Sequence, residues 1–197
     1  MVNHKITSIM PNLNTARLIL TPQDSEFILK DIKPFISQLS SEKFLADSLE
    51  CDNDYLCFET GEDFLHQITF LGCSPTLYAT DDAEQNKTFI SIKQHNEIQF
   101  ANSSAIPPAR CPHCQKTDKN WPQYLQNWQQ SAQTNETCPH CHKVFQFSEM
   151  KWKKNGGYGK LLIQIHGVQE QLAVPNQSFL DHLKTLTDTG WEYFFAE

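Results

Sequence analysis

The chain has 197 residues, 39% of them apolar and 11% aromatic, with a formal net charge of −7. Thirteen Phe and four Trp exclude a disordered chain, and ten Pro with seven Gly exclude collagen-like or low-complexity structure. The length suits one domain, or one domain plus a small module, with about 70% of the unfolded surface buried. Near the start no apolar run reaches the core of an export signal or the roughly 20 residues of a membrane helix. The expectation is a cytoplasmic protein with no membrane contact.

In chain order, Ala16 to Leu20 reads as a strand. Thr21-Pro22-Gln23-Asp24 then reads as a helix start, with Thr as N-cap and Pro at the first position. Ile28, Ile32, Phe35, Ile36 and Leu39 share one helical face, and Pro34 should kink the run near Lys33. A short helix is predicted from Ser41 to Leu49. Another opens at Thr60-Gly61-Glu62-Asp63, with Phe64, Leu65, Ile68 and Leu71 inward and Gly72 and Pro75 ending it.

The period then changes. Leu77 to Ala79, Thr88 to Lys93 and Glu97 to Ala101 read as strands, with a turn over Asp81 to Lys87 and a hairpin at His95-Asn96. Asn102 to Pro108 reads as a linker. Leu161 to His166 is the strongest strand pattern in the chain. A helix beginning at Pro175-Asn176 carries Phe179, Leu180, Leu183 and Leu186, Gly190 occupies a C-cap position, and Trp191 to Phe195 closes as a strand. The pattern implies an α+β fold, helices packed on a mostly antiparallel sheet.

Seven cysteines are present, and four form two matched units. Cys111-Pro112-His113-Cys114 recurs as Cys138-Pro139-His140-Cys141, with 23 residues between Cys114 and Cys138. A C-x2-C turn aims two thiolates at one point, and two such turns facing each other make a tetrahedral soft site. Zinc accepts four sulfurs at about 2.3 Å and has no redox chemistry. With four thiolates no coordination position stays open, so the site reads as structural. Cys51, Cys57 and Cys73 are left over and read as free thiols. His113, His140 and His142 read as exposed imidazoles or as hydrogen-bond partners of a sulfur.

The paired Cys-Pro-x-Cys knuckles resemble the zinc-ribbon class over roughly Arg110 to Lys143, which implies Cys111, Cys114, Cys138 and Cys141 as the four ligands. They are also similar to rubredoxin knuckles, which hold iron. The glycine such knuckles often carry after the second cysteine is replaced by Gln115 and His142, and this counts against iron more than against zinc. Leu71-Gly72-Cys73-Ser74-Pro75 and the aromatic C-terminus resemble parts of uncharacterised bacterial proteins, with no activity implied. Since regular structure is expected on both sides, residues 105–142 read as a zinc-ribbon insertion into a discontinuous domain of residues 1–104 and 143–197.

Charge is uneven. Residues 105–160 carry +5 and the remainder −12. The basic segment also holds Trp121, Tyr124, Trp128, Phe145, Phe147, Trp152 and Tyr158. Bases among rings suit single-stranded nucleic acid, yet a small module has little else to bury, so five of the seven rings are expected to pack. Lys151, Lys153, Lys154 and Lys160 surround Gly156, Gly157 and Gly159, which read as a flexible hairpin loop and, secondarily, as a backbone nest for an anion.

Catalytic motifs with proper context are lacking. His66, His166 and Cys73 are isolated candidates, and Asp52-Asp54 and Asp81-Asp82 read as solvated turn carboxylates. The expectation is a non-enzymatic adaptor with structural zinc and a protein partner. An RNA- or DNA-contacting accessory factor is the alternative, disfavoured by net charge. A small enzyme with an unrecognised site is the third reading.

Overall fold

The computed structural model describes residues 16–51, 54–72, 75–77, 87–103, 109–131, 134–168 and 171–197. The expected strand at Tyr78-Ala79, the turn from Asp81, the end of the linker (residues 104–108), Cys73 and Asp52 lie outside them. Among the described residues the fold is α+β, four helices with a six-stranded sheet in which every paired strand is antiparallel. None of these helices is long and apolar enough to cross a membrane.

Strand β1 (Arg17–Pro22) runs two residues past the expected end. Thr21 is wholly buried, and its hydroxyl donates to the Leu161 carbonyl at 3.0 Å, so it caps no helix. Helix α1 (Ile32–Ser41) starts ten residues later, where the Asp31 carboxylate accepts from the Lys33 amide at 2.9 Å. Pro34 falls in the first turn, where an amide has no helical acceptor, and kinks nothing. Phe35 and Leu39 are buried as the period predicts, while Ile28 lies outside the helix and is exposed.

The helix expected from Ser41 to Leu49 is strand β2 (Leu45–Leu49), hairpinned to β3 (Leu56–Thr60). A Cβ on Gly61 would lie 2.0 Å from the Lys43 carbonyl oxygen, so only glycine lets these two turns pack. The register brings Cys51 and Cys57 to a Cα separation of 6.1 Å, where they form a disulfide rather than the expected free thiols. The next predicted helix shrinks to one turn, α2 (Phe64–Gln67), because Ile68 enters strand β4 (Ile68–Phe70).

Strands β5 (Phe89–Asn102) and β8 (Gly156–His166) form a long two-stranded spine. Residues 89–94 of β5 pair with 161–166 of β8 at the sheet centre, and 99–102 pair with 156–159 beyond it. His95-Asn96 makes no hairpin, because the register shifts there and β5 bulges and continues. The segment after β1 fills the gap. The Lys160 amide donates to Ser25 O at 3.0 Å, and the Gln94 side chain exchanges bonds with the Leu29 amide (2.7 Å) and carbonyl (3.1 Å).

The glycine run belongs to β8 and is buried, so it is neither a flexible loop nor an anion nest. A Cβ on Gly157 would lie 2.4 Å from the Phe194 ring, and one on Gly159 would lie 2.1 Å from Thr21 Oγ1. Those absent side chains let β1 and β10 (Trp191–Ala196) close against the spine.

Strand β9 (Ala173–Pro175) pairs with β4, and Asn176 then opens helix α4 (Gln177–Thr187). Its side chain accepts from Thr69 Oγ1 at 2.6 Å and donates to His66 O at 2.7 Å, which ties the helix start to β4. Phe179 and Leu183 are buried as expected. Asp188 (φ 54°), not Gly190, takes the left-handed position at the helix end. The main core lies between the sheet and helices α1 and α4, with Leu18, Leu20, Ile90, Ile92, Ile163 and Ile165 from the strands.

Candidate metal centre

Between β5 and β8 the chain builds a second, smaller assembly around the cysteines. Helix α3 (Trp121–Gln130) occupies part of the segment between the knuckles, where a loop or ribbon was expected. Strands β6 (Asn135–Thr137) and β7 (Val144–Gln146) form a hairpin carrying the second knuckle.

The two knuckles have matching geometry. In the first, the Gln115 amide donates to Cys111 O at 3.1 Å and the Cys111 amide to Lys116 O at 3.0 Å. In the second, the His142 amide donates to Cys138 O and the Cys138 amide to Lys143 O, both at 3.0 Å. Gln115 and His142 adopt φ of 60° and 57°, the left-handed conformation that favours glycine. The turn therefore forms without glycine, at a cost of about 1–2 kcal/mol per position.

These turns bring Cys111, Cys114, Cys138 and Cys141 together, with their sulfurs all within 4.8 Å of one another. Cys111 Sγ is 3.9 Å from Cys141 Sγ, and Cys114 Sγ is 3.8 Å from Cys138 Sγ. A tetrahedron with bonds of about 2.3 Å has edges of about 3.8 Å. The donor set fits a four-coordinate metal ion such as zinc, which would neutralise part of the thiolate charge and cross-link the two turns.

The surroundings split two of the thiols: burial pushes Cys111 up, while Cys138 is held down. The amides of His113 and His140 donate to Cys111 Sγ and Cys138 Sγ at 3.4 Å each. Burial opposes ionisation of Cys138, but the Cys141 and His140 amides and the neighbouring thiols outweigh it and hold the group down at about 6.

His113, His140 and His142 are exposed, the first of the two expected readings, and the His113 and His140 rings meet backbone carbonyls rather than sulfur. His113 Nε2 reaches Val144 O at 3.0 Å and His140 Nε2 reaches Thr117 O at 3.3 Å. A carbonyl only accepts, so both rings carry their proton on Nε2. Each imidazole spans to the third residue beyond the last cysteine of the other knuckle, from the same place in its own turn to the same place in the partner turn. The duplicated Cys-Pro-His-Cys carried this signal, because an identical histidine in both copies implies an identical role.

The module's core is aromatic. Tyr124, Phe145, Phe147, Trp152 and Tyr158 are buried, with Trp121 and Trp128 half-buried against them. Trp152 Nε1 donates to Tyr158 Oη at 2.6 Å, and Tyr158 Oη donates to Phe147 O at 2.6 Å. Burial pushes the Tyr158 phenol well up, so it remains a donor. Phe100 on β5 packs 5.1 Å from the Phe147 ring and 4.8 Å from Trp152. Two buried carboxylates anchor α3. Asp118 accepts from Tyr124 Oη at 3.2 Å and Glu136 from Asn127 Nδ2 at 2.9 Å. The described residues 109–131 and 134–141 thus pack on Phe100 and on residues 145–158, and not on themselves alone.

The four lysines of the sequence reading part company. Lys160 is ion-paired to Glu26 at 2.6 Å. Lys154 lies 3.6 Å over the Tyr193 ring, and burial pushes its ammonium down against Glu192. Lys151 and Lys153 share one concavity with Arg110, a residue the sequence reading counted only as charge.

His66 is exposed, 3.2 Å from Asp63. His166 is buried on β8, stacked on Phe89 at 4.3 Å, with Ser91 Oγ 2.8 Å from its Nε2. Burial, with the nearby Arg17 charge, lowers it to about 3. The chain matches no family model, no curated protein and no solved structure.

Proposed function

We propose that this chain is a non-catalytic binding protein of the zinc-ribbon type, in which zinc is structural and the module presents a surface to a macromolecular partner. The observation that supports it is the closed donor set. Four sulfurs at tetrahedral spacing leave no position for substrate or activating water. The metal ties two turns to a small aromatic core, and the rest of the chain supplies a scaffold.

The test is capture of the tagged, metal-loaded protein from its native cell extract, with and without nuclease, beside metal analysis of the purified chain. The reading expects one zinc per chain and a partner in one of the two captures. A chain that holds no metal, or that retains no macromolecule in either, contradicts it.

A further inference from the structure

Two concavities adjoin along the seam between the cysteine module and the spine, sharing Ser25 and Ser148 as lining residues. The larger, about 1060 Å³, is lined by six amide side chains: Asn96, Gln99, Asn102, Gln129, Asn135 and Gln146. The half-buried rings of Phe100 and Trp128 also border it. It carries little net charge, since Lys160 is paired with Glu26 and Glu97 adds one acid to the lining. The smaller, about 370 Å³, has Arg110, Lys151 and Lys153 on its walls against a single acid, Glu192, with Gly156 and Gly157 also lining it.

This division matches the parts of one ligand class. An amide offers a donor and an acceptor side by side, as the edge of a nucleobase does, and bases stack on rings; Gln99, Asn102 and Gln146 each spend one of these groups on nearby backbone, so Asn96, Gln129 and Asn135 carry the match. Phosphates need cations, and here three face one acid. We propose that the groove binds a single strand of RNA or DNA, with bases in the amide-lined part and phosphates at Arg110, Lys151 and Lys153. A duplex shows the amides only its groove edges and cannot stack an unpaired base on Phe100 or Trp128, so a single strand fits the groove better. The residues outside 105–160 total −12 and supply Glu26, Glu97 and Glu192 to the groove walls, so phosphate contact is restricted to the three cations of the smaller concavity. The proposal rests on the binding-protein reading above and names its partner class. It differs from the sequence expectation in excluding Lys154 and Lys160, held by a ring and by an acid, and in using Arg110, whose guanidinium donates only to a neutral carbonyl, Gln115 O at 3.2 Å, and keeps its charge for a phosphate.

The test is fluorescence anisotropy of the metal-loaded full chain with a labelled single strand of about 12 nucleotides. Matched probes are the duplex and an abasic strand of equal length, each starting at about 50 mM salt. Three phosphate contacts predict a log–log salt slope near −2, and K151Q/K153Q should reduce its magnitude by about 1.4. Q129A/N135A should weaken the single strand about fivefold and leave the abasic strand unchanged. All four side chains are exposed, so metal content and melting temperature should hold. No binding, equal affinity for duplex or abasic strand, or indifference to both double variants overturns the proposal. If a nuclease-resistant protein is then captured from extract, the nucleic-acid assignment falls and the binding-protein reading stands; if nothing is captured, both fall.

Discussion

The two cores of this molecule are built from different materials. The main core is mostly aliphatic, with Leu18, Leu20, Ile90, Ile92, Ile163 and Ile165 of three adjacent strands under α1 and α4. The module's core is a handful of rings and four sulfurs, closed by one short helix and one short hairpin. A large sheet buries enough apolar surface to hold itself. A module of some forty residues does not, and uses large rings, which bury the most area per residue, together with a cross-link. The spine formed by β5 and β8 belongs to both, since its inner half lies in the sheet and its outer half carries Phe100 and Tyr158 into the module.

The comparison breaks most visibly at a metal ligand. Cys138→Ser should abolish metal binding and unfold the module, because apparent metal affinity of about 10 kcal/mol or more is its folding energy. Near-ultraviolet circular dichroism, dominated by the module's rings, should collapse while the sheet signal remains. On the sheet side, His166 is lowered to about 3 from 6.5, so the unfolded chain binds the extra proton between those values. Its contribution is complete above pH 6.5 and is lost as pH falls toward 3, by up to about 5 kcal/mol. His166→Gln should remove this part of the acid sensitivity in urea melts run across that window.

Smaller changes sharpen the boundary. Ile163→Ala should cost about 3 kcal/mol in the sheet with metal stoichiometry unchanged, as measured by denaturation and metal analysis. Gly157→Ala should cost about 1–3 kcal/mol, because its Cβ meets the Phe194 ring; a loop glycine would be neutral in the same melt. His142→Gly relieves a φ of 57° and should raise the module's melting stability by at most about 1 kcal/mol.

The sequence was most legible where one residue type had one job. The duplicated tetrapeptide announced the four-sulfur site because soft ligands at that spacing have few other uses. Leu161 to His166 announced a strand by composition, and Phe179, Leu183 and their neighbours announced a helix by period. It was least legible where tertiary contacts overrule local preference. Thr21-Pro22 has the form of a helix start, but the buried hydroxyl is taken by Leu161 O across the sheet. Phe44, Leu45 and Leu49 fit a helix face, yet pairing with β3 makes that stretch a strand. Gly156 to Gly159 has loop composition, and only the close approach of Phe194 and Thr21 explains it as a central strand. The seam groove was invisible, because its lining comes from seven separate stretches of chain.

The most direct test of the central claim is hydrogen exchange, resolved by region, on the chain before and after the metal is removed by chelation. The account predicts that amides of residues 109–131 and 134–158 lose protection on removal, while those of β1 and of residues 161–166 keep it. Unchanged protection in the module, or loss spread evenly over the sheet, would contradict it.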